Sequence, residues 1–425
     1  MWLRLEPGLG LLVDRTMSTT LALLLAIFGA LLLTAGFLDD IAARIRVPGI
    51  LLVLLLGLLT DNPLHPAPAG QATALLSLEQ ADQIGQVALV LVLFFGGLTT
   101  NWHQMRSVLV PAGGLATVGS GLTALLMMAL VLLLGRIPGV DVTVTVPLAL
   151  FVGAMLCSTD ASAVMALLRP LKGRLPDQLV HLIECESAFN DPVAVVLSGI
   201  ALAMASGSEA VSAPSLVIEV TRQFLLGGLI GFLGGTLARQ LLSSRSNRSS
   251  TSQLAVMSLA VLAVLVGGTQ LIGGSGILAA YVAGLVLGNS PECDRAVLEE
   301  SHAGFAKMAE LLLFLCMGLV VDPEQVVAAA GWALLLFAAL QLVRWLMVET
   351  VLWRAGYGRA ERSLITLAGL RGAVPIAMAI QAAAGRAPWG DAMPAVALAV
   401  VLLGLLVQGF ALVPAARRLG LASPG

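Results

Sequence analysis

Long apolar stretches recur along almost the whole chain, and each is about 17–28 residues long, which suits a helix that crosses a hydrocarbon core about 30 Å thick. The strands of a membrane β-barrel would be about ten residues long and would alternate between apolar and polar side chains. The chain is 58% hydrophobic and 11% charged, whereas soluble domains are about 45–50% apolar and about 25% charged. The sequence therefore predicts an all-α, multi-pass protein of the cell (inner) membrane.

Hydropathy and helix-breaking residues predict about 13 transmembrane spans. Most Lys and Arg residues fall in the loops after odd-numbered spans and at the C-terminus, and few fall in the alternate loops. Because positive charge concentrates in cytoplasmic loops, this pattern predicts an N-terminus outside and a C-terminus inside, and it supports an odd number of spans. The predicted spans begin near residues 17, 48, 84, 107, 146, 178, 215, 253, 272, 303, 328, 361 and 392.

Two segments in the second half of the chain resemble two segments in the first half. Gly49-Ile50-Leu51 in predicted span 2 matches Gly276-Ile277-Leu278 in span 9, and Leu91-Val92-Leu93-Phe94 in span 3 resembles Leu311-Leu312-Leu313-Phe314 in span 10. Seven spans separate the members of each pair, so the two copies would cross the membrane in opposite directions. Inverted repeats of this kind are typical of transporters, whose substrate site lies at mid-membrane between the repeats.

We predict one transmembrane domain over residues 1–425, with inverted repeats at roughly 17–203 and 253–415 that span 7, at 215–241, connects. The chain ends soon after Arg417-Arg418, so a C-terminal regulatory domain is not expected. No run of basic residues indicates a nucleic-acid partner, and the four cysteines lack the spacing of metal ligands. No cofactor is expected.

Carboxylates lie in the middle of two predicted spans. Span 5 contains Ser158-Thr159-Asp160, and span 6 contains Glu186-Ser187-Ala188-Phe189-Asn190-Asp191-Pro192. At 1.5 Å per residue, Asp160 and Asp191 each lie about 20 Å along their helices, near mid-membrane. An ionised residue costs about 2.5–3.5 kcal/mol at that depth, so ion or proton handling is the default inference.

The helical period separates the acidic residues of span 6. Ser187 and Asp191 share one stripe, whereas Glu186 and Asn190 share the neighbouring stripe, so the two carboxylates point in different directions. Small hydroxylated residues around Asp160, together with backbone that unwinds there and beside Pro192, would offer oxygen ligands to a monovalent cation.

Predicted span 12 supplies a positive charge within Gly369-Leu370-Arg371-Gly372-Ala373-Val374-Pro375. Arg371 lies about 15 Å into the span and therefore reaches the depth of the carboxylates. One arginine cannot balance three carboxylates, so the site keeps a negative charge that attracts a cation. The glycines and Pro375 permit a break in the helix. A purely structural role for Arg371 is the alternative.

These three motifs resemble those of the monovalent cation:proton antiporters, specifically the NhaP-like branch of bacterial Na⁺/H⁺ or K⁺/H⁺ antiporters, and the resemblance covers nearly the whole chain. It implies that spans 5 and 12 cross at their unwound middles. It also implies a homodimer in which a core domain with spans 5, 6, 12 and 13 moves like an elevator against the rest of the protein.

The resemblance also implies the cation ligands. These would be the Thr159 backbone, Ser187 and Asp191, with Asp160 acting directly or through water and Ser158 as a supporting polar residue. Asp191 would also be the proton carrier.

The same resemblance implies an ion pair between Glu186 and Arg371. Asn190 would be a structural polar residue at the position where electrogenic relatives carry a second aspartate, which implies electroneutral exchange of one cation for one proton. Phe95 departs from the pattern, because relatives often carry an acidic residue just before the Gly-Gly pair of span 3.

Antiport follows if Asp191 holds either a proton or a metal ion but not both, since each neutralises the same carboxylate. The protein would then be a transporter and not an enzyme, with a monovalent cation, protons and membrane lipid as its partners. Three alternatives remain from the residues alone: a Na⁺-coupled symporter of an organic anion, a passive channel, and an intramembrane aspartyl hydrolase that uses Asp160 and Asp191.

Overall fold

The computed structural model describes residues 19–45, 47–60, 76–136, 143–206, 213–246 and 251–422. All regular elements within these ranges are helices, which confirms the all-α prediction. In chain order they are α1 (Thr19–Ile45), α2 (Gly49–Thr60), α3 (Leu78–Thr99), α4 (Trp102–Met105), α5 (Leu109–Gly114), α6 (Ser120–Leu134), α7 (Val146–Cys157), α8 (Ala161–Leu168), α9 (Asp177–Ala205), α10 (Ala213–Ser246), α11 (Thr251–Leu271), α12 (Gly276–Gly288), α13 (Arg295–Leu319), α14 (Pro323–Leu352), α15 (Arg359–Leu367), α16 (Ala373–Ala384) and α17 (Met393–Arg418).

Ten helical stretches of the described chain are long and apolar enough to cross a membrane, so the prediction of a multi-pass membrane protein is confirmed. Three shorter apolar helices, α2, α12 and α16, lie where spans 2, 9 and 12 are predicted. The number of crossings and the orientation of the termini stay predictions.

Two helices begin earlier than hydropathy predicts. α3 begins at Leu78 and not near residue 84, because the Ser77 side chain accepts a hydrogen bond from the Gln80 N–H and the Gln80 side chain accepts one from the Ser77 N–H. α13 begins at Arg295 and not near residue 303, because the Asp294 side chain accepts hydrogen bonds from two N–H groups of the first turn. Polar first turns lower the local hydropathy without ending the helix.

The helices form two groups. Helices α1–α3 and α10–α13 pack mainly on one another, and we call them the first bundle. Helices α4–α9 and α14–α17 likewise pack mainly on one another and form the second bundle. The bundles meet chiefly where α16 lies against α3 and α13.

Close backbone contacts hold the first bundle together. A Cβ added at Gly284 of α12 would meet the Phe94 backbone of α3, and one added at Gly318 of α13 would meet the Leu54 backbone of α2. Thus α12 packs on α3 as α13 packs on α2, and these are the helices whose sequences match in pairs. The inverted repeat itself stays a prediction.

We expect the substitution Gly284→Ala to lower the thermal unfolding midpoint of the purified protein in detergent. The added methyl group would meet the α3 backbone, which cannot rotate away, and overpacking of this kind typically costs about 1–3 kcal/mol. Gly268→Ala in α11 is the matched control, because a Cβ there meets no atom within 4 Å. Equal midpoints for the two variants would contradict the close contact.

Candidate functional site

Two helices of the second bundle are broken and cross one another. The first break separates α7, which ends at Cys157, from α8, which begins at Ala161; the second separates α15 from α16 over residues 368–372. The Asp160 N–H donates a 2.8 Å hydrogen bond to the Leu370 carbonyl oxygen, so the two unwound segments are joined backbone to backbone. The predicted crossing of spans 5 and 12 is confirmed.

Asp160 lies at the N-terminus of α8. Its Oδ1 accepts hydrogen bonds from the Ala163 N–H (3.1 Å) and from the Ser162 hydroxyl (2.6 Å). Gly372 lies directly against this carboxylate, because a Cβ there would overlap Asp160 Oδ2. The positive end of α8 therefore stabilises the negative charge of Asp160, and a glycine is needed at the facing position.

Helix α9 fixes the unwound segment through Thr159. The Asn190 amide Nδ2 donates to Thr159 Oγ1 over 2.7 Å, and the Thr159 N–H donates to Asn190 Oδ1 over 3.3 Å. The Ser187 and Thr159 hydroxyl oxygens lie 3.0 Å apart. Asn190 is fully buried, so its two-point contact with Thr159 is part of the packed interior.

Pro192 does not interrupt α9, which continues from Asp177 to Ala205. The expectation that backbone beside Pro192 unwinds is therefore wrong, because the helix accommodates the ring without a break. Proline has no N–H, however, so the Ala188 carbonyl four residues earlier lacks its usual helical donor. Ala188 lines the same cavity as Asp191.

Asp191 has a buried oxygen, Oδ1, without a hydrogen-bond partner. Its carboxylate is close enough to Asp160 for the two groups to interact electrostatically. Both line a cavity of about 490 Å³ between the two bundles, which we call the site cavity. The structure brings the predicted ligands together in its wall: Ser158, Thr159, Asp160, Ser187 and Asp191.

Glu186 pairs with Arg344 of α14 and not with Arg371. The pairing is bidentate: Arg344 Nη1 donates to Glu186 Oε1, and Nη2 donates to Oε2 over 2.9 Å. The exposed fractions of the two side chains are 3% and 2%, so the pair is buried within the second bundle. The predicted Glu186–Arg371 ion pair is corrected accordingly.

Arg371 instead binds carbonyl groups at the two helix breaks. Its Nε donates to the Leu156 carbonyl over 3.0 Å, and its Nη1 donates to the Gly369 carbonyl. A helix end leaves carbonyls without donors and carries partial negative charge, so a buried arginine is stabilised there without a carboxylate. Gln408 adds a 3.1 Å bond to the Leu367 carbonyl.

The charge balance of the site changes with this correction. Glu186 and Arg344 neutralise one another, and none of the salt bridges in the described ranges includes Asp160 or Asp191. Arg371 supplies one positive charge against the two aspartates. With both aspartates ionised, Asp160, Asp191 and Arg371 together carry one excess negative charge.

A second cavity, of about 680 Å³, also lies between the bundles, and we call it the opposite cavity. The site cavity is lined by the second half of α3, including Leu93 and Thr99, whereas the opposite cavity is lined by its first half, including Asp82 and Gln86. Of these two cavities, only the site cavity is lined by Asp160 and Asp191. The site is therefore reached from the end of the bundle that holds the C-terminus of α3.

Crossed, broken helices with partly buried carboxylates in a cavity open to one end define a membrane transport protein. The family model described as "Sodium/hydrogen exchanger, transmembrane" matches residues 25–418, and the chain belongs to this family. The resemblance drawn from the three motifs is confirmed, as is the prediction of a multi-pass protein of the cell membrane.

Similar proteins include two named as K⁺/H⁺ antiporters. The chain is 33% identical to NhaP2 of Shewanella oneidensis over 92% of its length and 30% identical to NhaP of Alkalimonas amylolytica over 95%. It is 28% identical to the Na⁺/H⁺ antiporter ApNhaP of Aphanothece halophytica over 80% of its length. The matches cover 66%, 68% and 65% of those proteins, so the chain spans about two thirds of their length.

A solved structure has the same fold. The sodium proton antiporter MjNhaP1 from Methanocaldococcus jannaschii, determined at pH 8, superposes with a TM-score of 0.78 at 21% sequence identity. The match covers 95% of this chain and 100% of that chain.

We expect a double-mutant cycle to find stronger coupling between Glu186 and Arg344, which are in direct contact, than between Glu186 and Arg371. Glu186→Gln or Arg344→Gln alone leaves a buried charge without its partner, which typically costs about 3–5 kcal/mol, and the double variant should lose less than the sum. Thermal unfolding midpoints in detergent measure both cycles. Larger coupling in the Arg371 cycle would restore the ion pair expected from sequence.

Proposed function

We propose that the protein exchanges a monovalent cation, Na⁺ or K⁺, for H⁺ across the cell membrane. The observation that carries this proposal is the partly buried Asp191 carboxylate, whose buried Oδ1 has no hydrogen-bond partner and which lines a cavity open to one end of the bundle. Family membership and the names of the similar antiporters support the same activity.

The oxygens around Asp191 suit a hard monovalent cation. The Ser187 and Thr159 hydroxyls lie 3.0 Å apart, and the Asp160 carboxylate and the Ala188 carbonyl line the same cavity. A cation bound here would exchange the water molecules of its hydration shell for hydroxyl, carboxylate and carbonyl oxygens. A proton on Asp191 would satisfy the same carboxylate without any metal ion.

Exchange with one-for-one stoichiometry follows from the charge balance. Glu186 and Arg344 are paired, and the charge of Arg371 balances one of the two aspartates, so one unit of positive charge at Asp191 brings the summed charge of these five groups to zero. Either a proton or a monovalent cation supplies that unit. Movement past apolar surroundings with Asp191 ionised and without a bound ion would cost about 2.5–3.5 kcal/mol. A cost of this size makes that movement about 100-fold less favourable than movement with Asp191 neutralised.

Alternating access would expose the site first to one cavity and then to the other. The site cavity lies at the end of α3 that the Lys and Arg distribution assigns to the cytoplasm, so we assign the structure to an inward-facing state. Apolar side chains, including Leu89, which lines both cavities, lie between the aspartates and the opposite cavity. Movement of the second bundle along the first, in a homodimer, would carry the site past them.

The alternatives find less support. A symporter of an organic anion needs free donors in the site cavity, but Arg371, whose Nε and Nη1 donate to backbone carbonyls, does not line this cavity. An intramembrane hydrolase needs two aspartates that share a water molecule, but Asp160 Oδ1 already accepts two hydrogen bonds as a helix cap. The family is one of transporters.

Asp191→Asn should reduce cation-dependent dissipation of ΔpH to background in everted membrane vesicles, because an amide can neither bind a proton at physiological pH nor neutralise a cation. Asp177→Asn is the matched control, since Asp177 lies exposed in the first turn of the same helix. That control should exchange like the wild-type protein. Cation-dependent exchange retained by Asp191→Asn would refute the proposed role of this carboxylate.

Wild-type exchange should be competitive in cation and proton. Over the pH range in which Asp191 takes up a proton, each decrease of one pH unit should raise the half-saturating cation concentration by up to about tenfold, while the maximal rate at saturating cation stays constant.

The rate of exchange should not respond to an imposed membrane potential, because one positive charge moves in each direction. A rate that follows the potential would contradict the one-for-one stoichiometry, and simultaneous binding of both ions would contradict competition.

A further inference from the structure

A carboxylate of the first bundle also faces the site cavity. Glu310 lies on α13 and lines the cavity that contains Asp160 and Asp191, which belong to the second bundle. The exposed fraction of the Glu310 side chain is 24%. Phe95, on the neighbouring wall of the same cavity, is apolar. Glu310 therefore places a negative charge in the site cavity, although it belongs to the first bundle and is not one of the proposed cation ligands.

Lys307 lies one turn before Glu310 and also lines the cavity. Its Nζ is 3.2 Å from Glu310 Oε2 and 2.9 Å from Asp39 Oδ2 of α1, so one ammonium group is shared by two carboxylates. Asp39 in turn lies against Gly49 at the start of α2, where a Cβ would overlap its Oδ1. Carboxylates of α1 and α13 thus hold the ammonium group beside the cavity, and α2 packs against the carboxylate from α1.

We propose that Glu310 is the entry residue for the cation on the side of the site cavity, and that Lys307 is a tethered cation that competes with the transported ion for the Glu310 carboxylate. Asp39 draws Lys307 away from Glu310 and thereby keeps this carboxylate available. The inference rests on the proposed exchange activity and adds to it a residue that sets the apparent affinity on one side of the membrane.

The chemistry of the three groups supports competition. An ammonium group and an alkali ion carry the same charge and bind the same carboxylate oxygens, so occupancy by one weakens binding of the other. The ammonium cannot leave, because its stem is covalently attached, and therefore its local concentration is constant. The transported ion has to compete with it from solution.

The position of Glu310 makes the effect one-sided. Glu310 belongs to the first bundle, whereas Asp160 and Asp191 belong to the second, so a relative movement of the bundles would separate them. The opposite cavity, which the site would then face, is not lined by Glu310 or Lys307. Glu310 should consequently influence cation entry from the site cavity and not from the other side.

The test compares half-saturating cation concentrations in everted and right-side-out vesicles from the same cells, with Na⁺ and K⁺ as the probes. The measurement is made at the alkaline end of the pH range, where protons no longer compete. Glu310→Gln should raise the value about fivefold on the side of the site cavity and leave the other side unchanged. Glu300→Gln, on an exposed position of the same helix outside the cavity, is the matched control and should change neither side.

Competition by Lys307 is tested by double variants. Lys307→Gln should lower the half-saturating concentration about threefold, and Asp39→Asn should raise it by a similar factor. If Lys307 acts by occupying Glu310, its effect should vanish in the Glu310→Gln background, and the Asp39 effect should vanish in the Lys307→Gln background. Additive effects would indicate a general electrostatic field and would overturn the competition.

Each outcome bears on a distinct claim. Equal shifts on both sides, or loss of exchange in both vesicle types with Glu310→Gln, would overturn the role of Glu310 as an entry residue. An unchanged value on both sides would do the same. Absence of cation-dependent exchange in the wild-type protein would instead contradict the proposed function. An unchanged half-saturating cation concentration on the side of the opposite cavity also shows that the variant is folded.

Discussion

The 2.8 Å hydrogen bond from the Asp160 N–H to the Leu370 carbonyl is the contact on which the site depends. It joins two helices at the points where each has lost its own backbone pairing. The N-termini of α8 and α16 then lie at the crossing, and their partial positive charge favours the neighbouring carboxylates. On the other side of the breaks, the carbonyl groups at the C-terminal ends of α7 and α15 lack helical donors. Arg371 and Gln408 donate hydrogen bonds to them.

The position of these groups could be predicted from the sequence, but their partners could not. Depth follows from counting residues along an apolar span, and direction follows from the helical period, so Glu186 and Asp191 are correctly expected to diverge. The partner of Glu186 depends on which helix lies behind it. Helix α14 is apolar on every face, so its sequence does not reveal that Arg344 shares a buried stripe with Leu340 and Met347.

The hydropathy profile also fails to predict that Glu310 and Lys307 lie beside the cavity. A span that begins near residue 303 would place both in its first turns, where charged residues ordinarily reach the membrane interface. Because Asp294 starts α13 eight residues earlier, at Arg295, the two lie in the middle of the helix and beside the cavity. The length of the polar first turns is set by a cap and by packing on α3 and α2, which a hydropathy window does not measure.

The distribution of ion pairs favours movement of one bundle against the other. Glu186 and Arg344 both belong to the second bundle, and so do Arg362 and Glu349, whereas Lys307 and Asp39 both belong to the first. In the described part of the chain, none of the salt bridges joins the two bundles. Separation of a buried pair typically costs about 3–5 kcal/mol, so an interface without such pairs can slide without that cost. Asp160, Asp191 and Glu310 are among the charged groups that line the site cavity between the bundles, and a transported cation would neutralise them in passing.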